Sequence, residues 1–149
     1  MEDEACLSYL QEYRPDVHFD VLLKCWELPY SVNQHSSHCG SHSSLVDLLC
    51  SDLTFRKTMQ ACQSKVDLLF QEHDTVRVAC GDSRGMYRSV AVATILQGVF
   101  KVNGYTTQGP YHLDKYTWKE GGICSNCEHC LPNAHKQKLY AKLASRRRP

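Results

Sequence analysis

The sequence predicts a single α/β domain, a small parallel or mixed sheet flanked by helices, on three observations. Two short runs rich in apolar and β-branched residues, Val17 to Leu23 and Val76 to Cys80, stand on either side of segments with helical apolar spacing. The second run passes through a glycine-containing loop into an Ala/Val/Ile/Leu-rich segment from Arg88 onward, which reads as strand, loop, helix. An order of strand, helices, strand, helix implies parallel pairing through a right-handed crossover. At 149 residues, 42% hydrophobic and 22% charged, the chain is long enough to bury one core without disulfide staples.

Taken in order, residues 1–16 form an N-terminal extension, in which Leu7, Tyr9 and Leu10 fit a short helix stopped by Pro15. Residues 17–120 are the α/β domain. Its first strand alternates apolar residues at 17, 19, 21 and 23, and Leu28-Pro29 ends it. Residues 31–44, SVNQHSSHCGSHSS, are a loop by composition. Ser44 is placed to cap a short helix through Leu45, Val46, Leu48 and Leu49. Asp52 is placed to cap a longer one, in which Leu53, Met59, Cys62, Val66, Leu69 and Phe70 recur at helical spacing as far as His73. That stripe reads as core packing. After the central strand and its helix, Asn103-Gly104 supplies a turn, Tyr105 to Thr107 a third strand, and Gly109-Pro110 its end. Residues 121–149 are a cysteine-rich segment and a basic tail.

The strand–loop–helix unit is the candidate site. A helix that starts directly after a glycine-containing loop presents unpaired backbone N–H groups and the positive end of its dipole, and Ser83, Arg84, Arg88 and Ser89 stand at that end. An anion, most simply a phosphate, suits the position. The phosphate-loop and dinucleotide glycine patterns are both absent, so no nucleotide cofactor is expected.

The residues Val78-Ala-Cys-Gly-Asp-Ser-Arg-Gly-Met-Tyr-Arg-Ser-Val-Ala91 resemble the signature loop of the C-terminal domain of the RapZ family of RNase adaptor proteins. His18-Phe19-Asp20-Val21 with Leu28-Pro29 is similar to that family's opening strand, and Cys39-Gly40 before Leu45-Val46-Asp47 to a further loop and helix. The resemblance covers roughly residues 17 to 114. Here the loop is two residues longer, Tyr87 stands where histidine is usual, and Asp82-Ser83-Arg84 splits the glycines. The resemblance does not extend to the nucleotide-binding domain of the full-length bacterial proteins, so no ATPase-type activity follows from it. It implies a RapZ-like fold and a non-catalytic, regulatory RNA-binding adaptor whose ligands are RNA and an amino-sugar phosphate. It also implies that the Ser/His loop folds over the anion site and contributes His35. The ligand-binding set is then Gly81, Ser83, Arg84, Gly85, Tyr87, Arg88, Ser89 and His35. In an open parallel sheet, Cys80, the loop after it, the Ser/His loop and the region around His112 would share one rim and one pocket.

Other chemistry stands beside that reading. A thiol at a strand end beside a helix N-terminus suits a cysteine-dependent phosphatase, with Cys80 as nucleophile and Arg88 holding the phosphoryl group. Such enzymes need C-x5-R, whereas Met86 holds that position and Arg84 and Arg88 fall on either side. In the Ser/His loop, His35, His38, Cys39 and His42 are open to pocket lining, metal binding or plain loop. Cys124, Cys127 and Cys130, spaced C-x2-C-x2-C, complete a Cys3His zinc site with His135. An iron–sulfur cluster and free thiols are the alternatives there.

Net charge is only +1, but its distribution is uneven. Acids gather at Glu2, Asp3, Glu4 and Glu12, while Lys136, Lys138, Lys142, Arg146, Arg147 and Arg148 follow the last cysteine with no acid among them, a set suited to RNA phosphates. No 18-residue apolar run exists, the N-terminus is acidic, and the nine cysteines are odd in number. Those features point to a reduced cytoplasmic or nuclear setting without membrane insertion, and they leave oligomeric state open.

Overall fold

The computed structural model describes residues 3–28, 42–82, 88–111 and 127–145. These residues carry five α-helices and one two-stranded parallel sheet, so the general α/β class holds. The strands are β1 (Val21–Lys24) and β2 (Val78–Gly81), with Val21 opposite Val78 and Lys24 opposite Gly81. Asp20 closes the entrance to this ladder: its Oδ2 accepts the Arg77 N–H at 2.7 Å, while the Asp20 N–H donates to the Arg77 carbonyl at 2.8 Å. The strand expected from Val17 therefore starts four residues late. Val17 N–H instead bonds back to the Arg14 carbonyl. Beyond Lys24 the chain tightens at once into a 3-10 turn, Cys25–Glu27.

Helix α1 (Asp3–Tyr13) precedes the sheet, and α2 (Ser43–Ser51) and α3 (Leu53–Leu69) lie in the crossover between its strands. His42 caps α2, its Nδ1 accepting the Ser44 N–H at 3.1 Å, so Ser44 sits inside the first turn and not at the cap expected for it. Asp52 caps α3 as expected, with Oδ2 accepting the Phe55 N–H at 2.8 Å. Phe55, Met59, Cys62, Gln63 and Val66 form the buried stripe of α3. Gln63 is fully buried yet satisfied: Nε2 donates to the Met59 carbonyl and Oε1 accepts from Asn103 Nδ2 at 2.9 Å.

Helix α4 (Arg88–Val102) is the apolar centre, with Val90, Ala91, Val92, Ile95, Leu96, Val99 and Phe100 all buried. It ends in a Schellman motif. Gly104 takes φ +92°, its N–H donates to the Lys101 carbonyl, and the Tyr105 N–H donates to the Phe100 carbonyl, both at 3.0 Å. The Tyr105 ring then packs edge-on to Phe100 and stacks on Phe70, and its hydroxyl bonds Asp67. The third strand expected at 105–107 does not form. Tyr105 is used to close the end of α4 against α3.

Helix α5 (Ala134–Ser145) packs along α4 and contributes Tyr140, Leu143 and Ala144 to the core. Among the described residues no helix is long and apolar enough to cross a membrane.

Buried acids of this core set an alkaline limit. Burial pushes the Cys50 and Cys62 thiols and the Tyr140 phenol each up to about 12. The unfolded chain ionises its thiols near pH 9 and the folded chain does not, so the thiol contribution is intact below about pH 9 and is lost as pH rises toward 12. Urea midpoints of the reduced protein should fall steadily from about pH 9 upward; constant midpoints over that range would contradict this burial.

Candidate functional site

Because β1 and β2 are parallel, both strands discharge their chain at one rim. The turn Cys25–Glu27 leaves β1 there, Gly81 and Asp82 leave β2 there, and α4 opens with Arg88. Arg88 joins all three exits. Its Nε and Nη2 donate to the two oxygens of Asp82 at 3.3 and 2.9 Å, and Nη1 donates to the Trp26 and Leu28 carbonyls at 3.0 and 3.1 Å. The Arg88 and Asp82 side chains are 16% and 3% exposed. A planar guanidinium with five donors in a fixed fork suits this role, and a lysine could not span it. The counter-charge role expected of Arg88 toward an anion meets a competitor in Asp82. The Asp82 carboxylate already matches the guanidinium charge, and four of the five donors are committed.

Gly81 has a packing reason for its identity. A Cβ there would stand 2.7 Å from Cys6 Sγ and 3.1 Å from the Trp26 ring, so the glycine lets α1 and the turn after β1 close on the strand end. Ser89 is buried in the first turn of α4. Ser83, Arg84, Gly85, Tyr87, His35 and His112 lie outside the described residues.

Cys80 is half-buried at the same rim. Its thiol is hydrogen-bonded to that of Cys25, and this bond, with burial, pushes the fully buried Cys25 thiol well above its ordinary range. Phosphoryl transfer through Cys80 would need a free guanidinium close by. Arg88 is held by Asp82 and two carbonyls instead.

The C-terminal candidates separate. Cys127 and Cys130 share one turn, closed by the Cys130 and Leu131 N–H groups donating to the Cys127 carbonyl at 3.0 and 3.2 Å. Burial raises the Cys127 thiol, but the N–H groups of His129 and Cys130 and the Cys130 thiol outweigh it and bring the group below its ordinary value. His135, expected beside these thiols, sits on α5 with Nε2 2.6 Å from Asp47 Oδ1. Cys124 lies outside the described residues. Among the described residues no group of three or more His, Cys, Asp or Glu side chains is placed to hold one metal ion.

The basic set divides as well. Lys136, expected on an RNA-facing surface, is 1% exposed and donates through Nζ to the Leu131 carbonyl at 2.9 Å, which removes it from that surface. Lys138 and Lys142 are exposed on α5, and Arg146, Arg147 and Arg148 lie outside the described residues. Lys142 borders a shallow depression of about 430 Å³ with Asp47, Ser51, Arg56 and Leu143. That depression lies between α2, α3 and α5, and its charged lining is Arg56 and Lys142 against Asp47.

Some of these residues were missed in the sequence. Asp82 reads as a spacer between glycines, although an acid six residues before an arginine, across a loop, is the visible trace of the clamp. Trp26 enters the clamp through its carbonyl, which no side-chain pattern can signal. Comparison of the chain with known protein families, curated proteins and solved structures returns no match.

Proposed function

We propose that this chain is a non-catalytic binding domain that holds a phosphorylated ligand at the carboxyl rim of β1 and β2, in the manner of a RapZ-like RNA-binding adaptor. The observation that carries the reading is the clamp. Arg88, Asp82 and the Trp26 and Leu28 carbonyls fix the start of α4 at the rim, where its first backbone N–H groups offer fixed donors to an anion. On this reading Arg88 positions the helix, Arg84 supplies the counter-charge, and Ser83 and the backbone of the loop donate hydrogen bonds. The pairing of Arg88 with Asp82 favours binding over thiol-based phosphoryl transfer. An amino-sugar phosphate is the small ligand that the sequence resemblance implies. RNA phosphates would engage Lys138, Lys142 and Arg146 to Arg148.

The test is a thermal-shift series of the reduced protein with inorganic phosphate, an amino-sugar phosphate and a short RNA hairpin. A ligand present at about 100 times its Kd adds about 2.7 kcal/mol to the folded state, which for a chain of this size raises Tm by roughly 5–10 °C. The shift should vanish in Arg84→Gln, which leaves the Arg88–Asp82 pair unaltered in sequence. Absence of a shift with every anion would overturn the proposal.

A further inference from the structure

We propose that Cys127 and Cys130 are a dithiol site for thiol–disulfide exchange, with Cys127 as the attacking sulfur, Cys130 as the resolving sulfur, and a small-molecule disulfide of the glutathione type as the substrate class. The site uses no residue of the rim. Its first support is the backbone. The hydrogen bonds from the Cys130 and Leu131 N–H groups to the Cys127 carbonyl, at 3.0 and 3.2 Å, wind one tight turn between the two cysteines. Such a turn holds its end Cα atoms within about 7 Å, and a disulfide spans about 4.4–6.8 Å, so the bond closes with little movement of the chain.

The two sulfurs are also unequal in the way exchange requires. Cys127 is partly exposed and Cys130 is 4% exposed, so an incoming disulfide meets Cys127 first. The resolving thiol lies in the same tight turn as the sulfur it must attack. Elsewhere among the described residues Cys6, Cys25, Cys50 and Cys62 are buried, which leaves them poorly placed to compete, while Cys80 is half-buried and is the rival thiol to be compared.

The turn is held rigidly at this position. Ser43 donates to the His129 carbonyl through its backbone N–H at 2.7 Å and its hydroxyl at 3.1 Å, which docks the turn on the start of α2. Asn133 Nδ2 reaches the Glu128 and Leu131 carbonyls, and Lys136 Nζ donates to the Leu131 carbonyl. Lys136 is thus a buried cation in the service of this turn. The same carbonyl-binding network gives the dithiol a preformed geometry, the usual requirement for a site that acts without prior folding.

The chemistry balances without a cofactor. The Cys127 thiolate, its proton released to water, attacks one sulfur of R–S–S–R; a Cys127–S–R bond forms, the substrate S–S bond breaks, and RS⁻ leaves. Cys130 then releases its proton and attacks Cys127 Sγ, forming the Cys127–Cys130 bond and expelling the second RS⁻. The protein dithiol loses two electrons, the substrate disulfide gains them, and the two released protons yield two RSH.

The experiment uses the full chain, reduced and desalted, exposed to glutathione disulfide, quenched by alkylation at intervals and mapped by mass spectrometry. The expected first oxidised species carries a Cys127–Cys130 disulfide. Cys130→Ser should accumulate glutathione on Cys127, and Cys127→Ser should give neither product, with thermal melts establishing that both variants fold. If a variant fails to fold, the time course of the unaltered chain still decides. A first disulfide formed at any other pair, including Cys124–Cys127 or Cys25–Cys80, would overturn the proposal. So would a Cys127 oxidised no faster than the remaining thiols, or protein that carries zinc on this pair and resists glutathione disulfide until a chelator is added.

Discussion

Replacing Arg88 by Ala is expected to cost about 3–5 kcal/mol of stability, the range for removing one partner of a buried ion pair. The loss has two sources. Asp82, 3% exposed at its side chain, would keep a carboxylate with its guanidinium partner gone, and the Trp26 and Leu28 carbonyls would each lose a donor. A pair on an open surface would cost only about 0–1 kcal/mol, so the two descriptions of Arg88 are well separated. Urea unfolding of Arg88→Ala and Asp82→Ala checks it. A loss below about 1 kcal/mol in both would mean that the clamp is not a structural element. Against a total stability of about 5–15 kcal/mol, the predicted loss also means that failed ligand binding by Arg88→Ala would report unfolding as readily as a lost contact. Arg84→Gln is the informative binding variant for that reason.

The second large effect is expected at the contact of α4 with α5. Gly98 has no side chain where Tyr140 lies flat against the helix, and a Cβ at 98 would stand 2.2 Å from the ring. Tyr140 is 3% exposed, and its removal should cost about 3–5 kcal/mol, as for other large core aromatics. Gly98→Ala overpacks the same contact and should cost about 1–3 kcal/mol. The two changes share one space, so the double variant should lose less than the sum, because Tyr140→Ala makes room for the new methyl group. Strict additivity in a double-mutant cycle would show that the two residues do not touch.

That contact also explains what the sequence concealed. From Ala134 onward the chain reads as basic and polar, and its charges mask a helical stripe at Lys136, Tyr140, Leu143 and Ala144, all buried. The first member of the stripe is a lysine, satisfied by the Leu131 carbonyl, and no hydrophobicity pattern anticipates that. By contrast α3 was legible because Asp52 is a good cap and because Met59, Cys62 and Val66 repeat at helical spacing. The strands were legible as elements and not in extent. Their length is set by the partner strand: β1 gains a ladder only where β2 begins at Val78, so the apolar alternation at 17 and 19 has nothing to pair with. Tyr105 carries the same lesson, since its β-branched neighbours suggest a strand while its ring is drawn between Phe70 and Phe100. At the rim, the arginine was visible as a charge. Its commitment to the Trp26 and Leu28 carbonyls depends on two chain exits meeting in space.

The most direct test of anion binding at the rim is a two-dimensional amide NMR titration of the reduced protein with an amino-sugar phosphate and, separately, with inorganic phosphate. The amides of Gly81, Asp82, Arg88, Ser89 and Val90 are expected to shift together and saturably, while those of α5 stay in place. Saturable shifts confined to Lys138 and Lys142 on α5, or no shift at the start of α4, would contradict it.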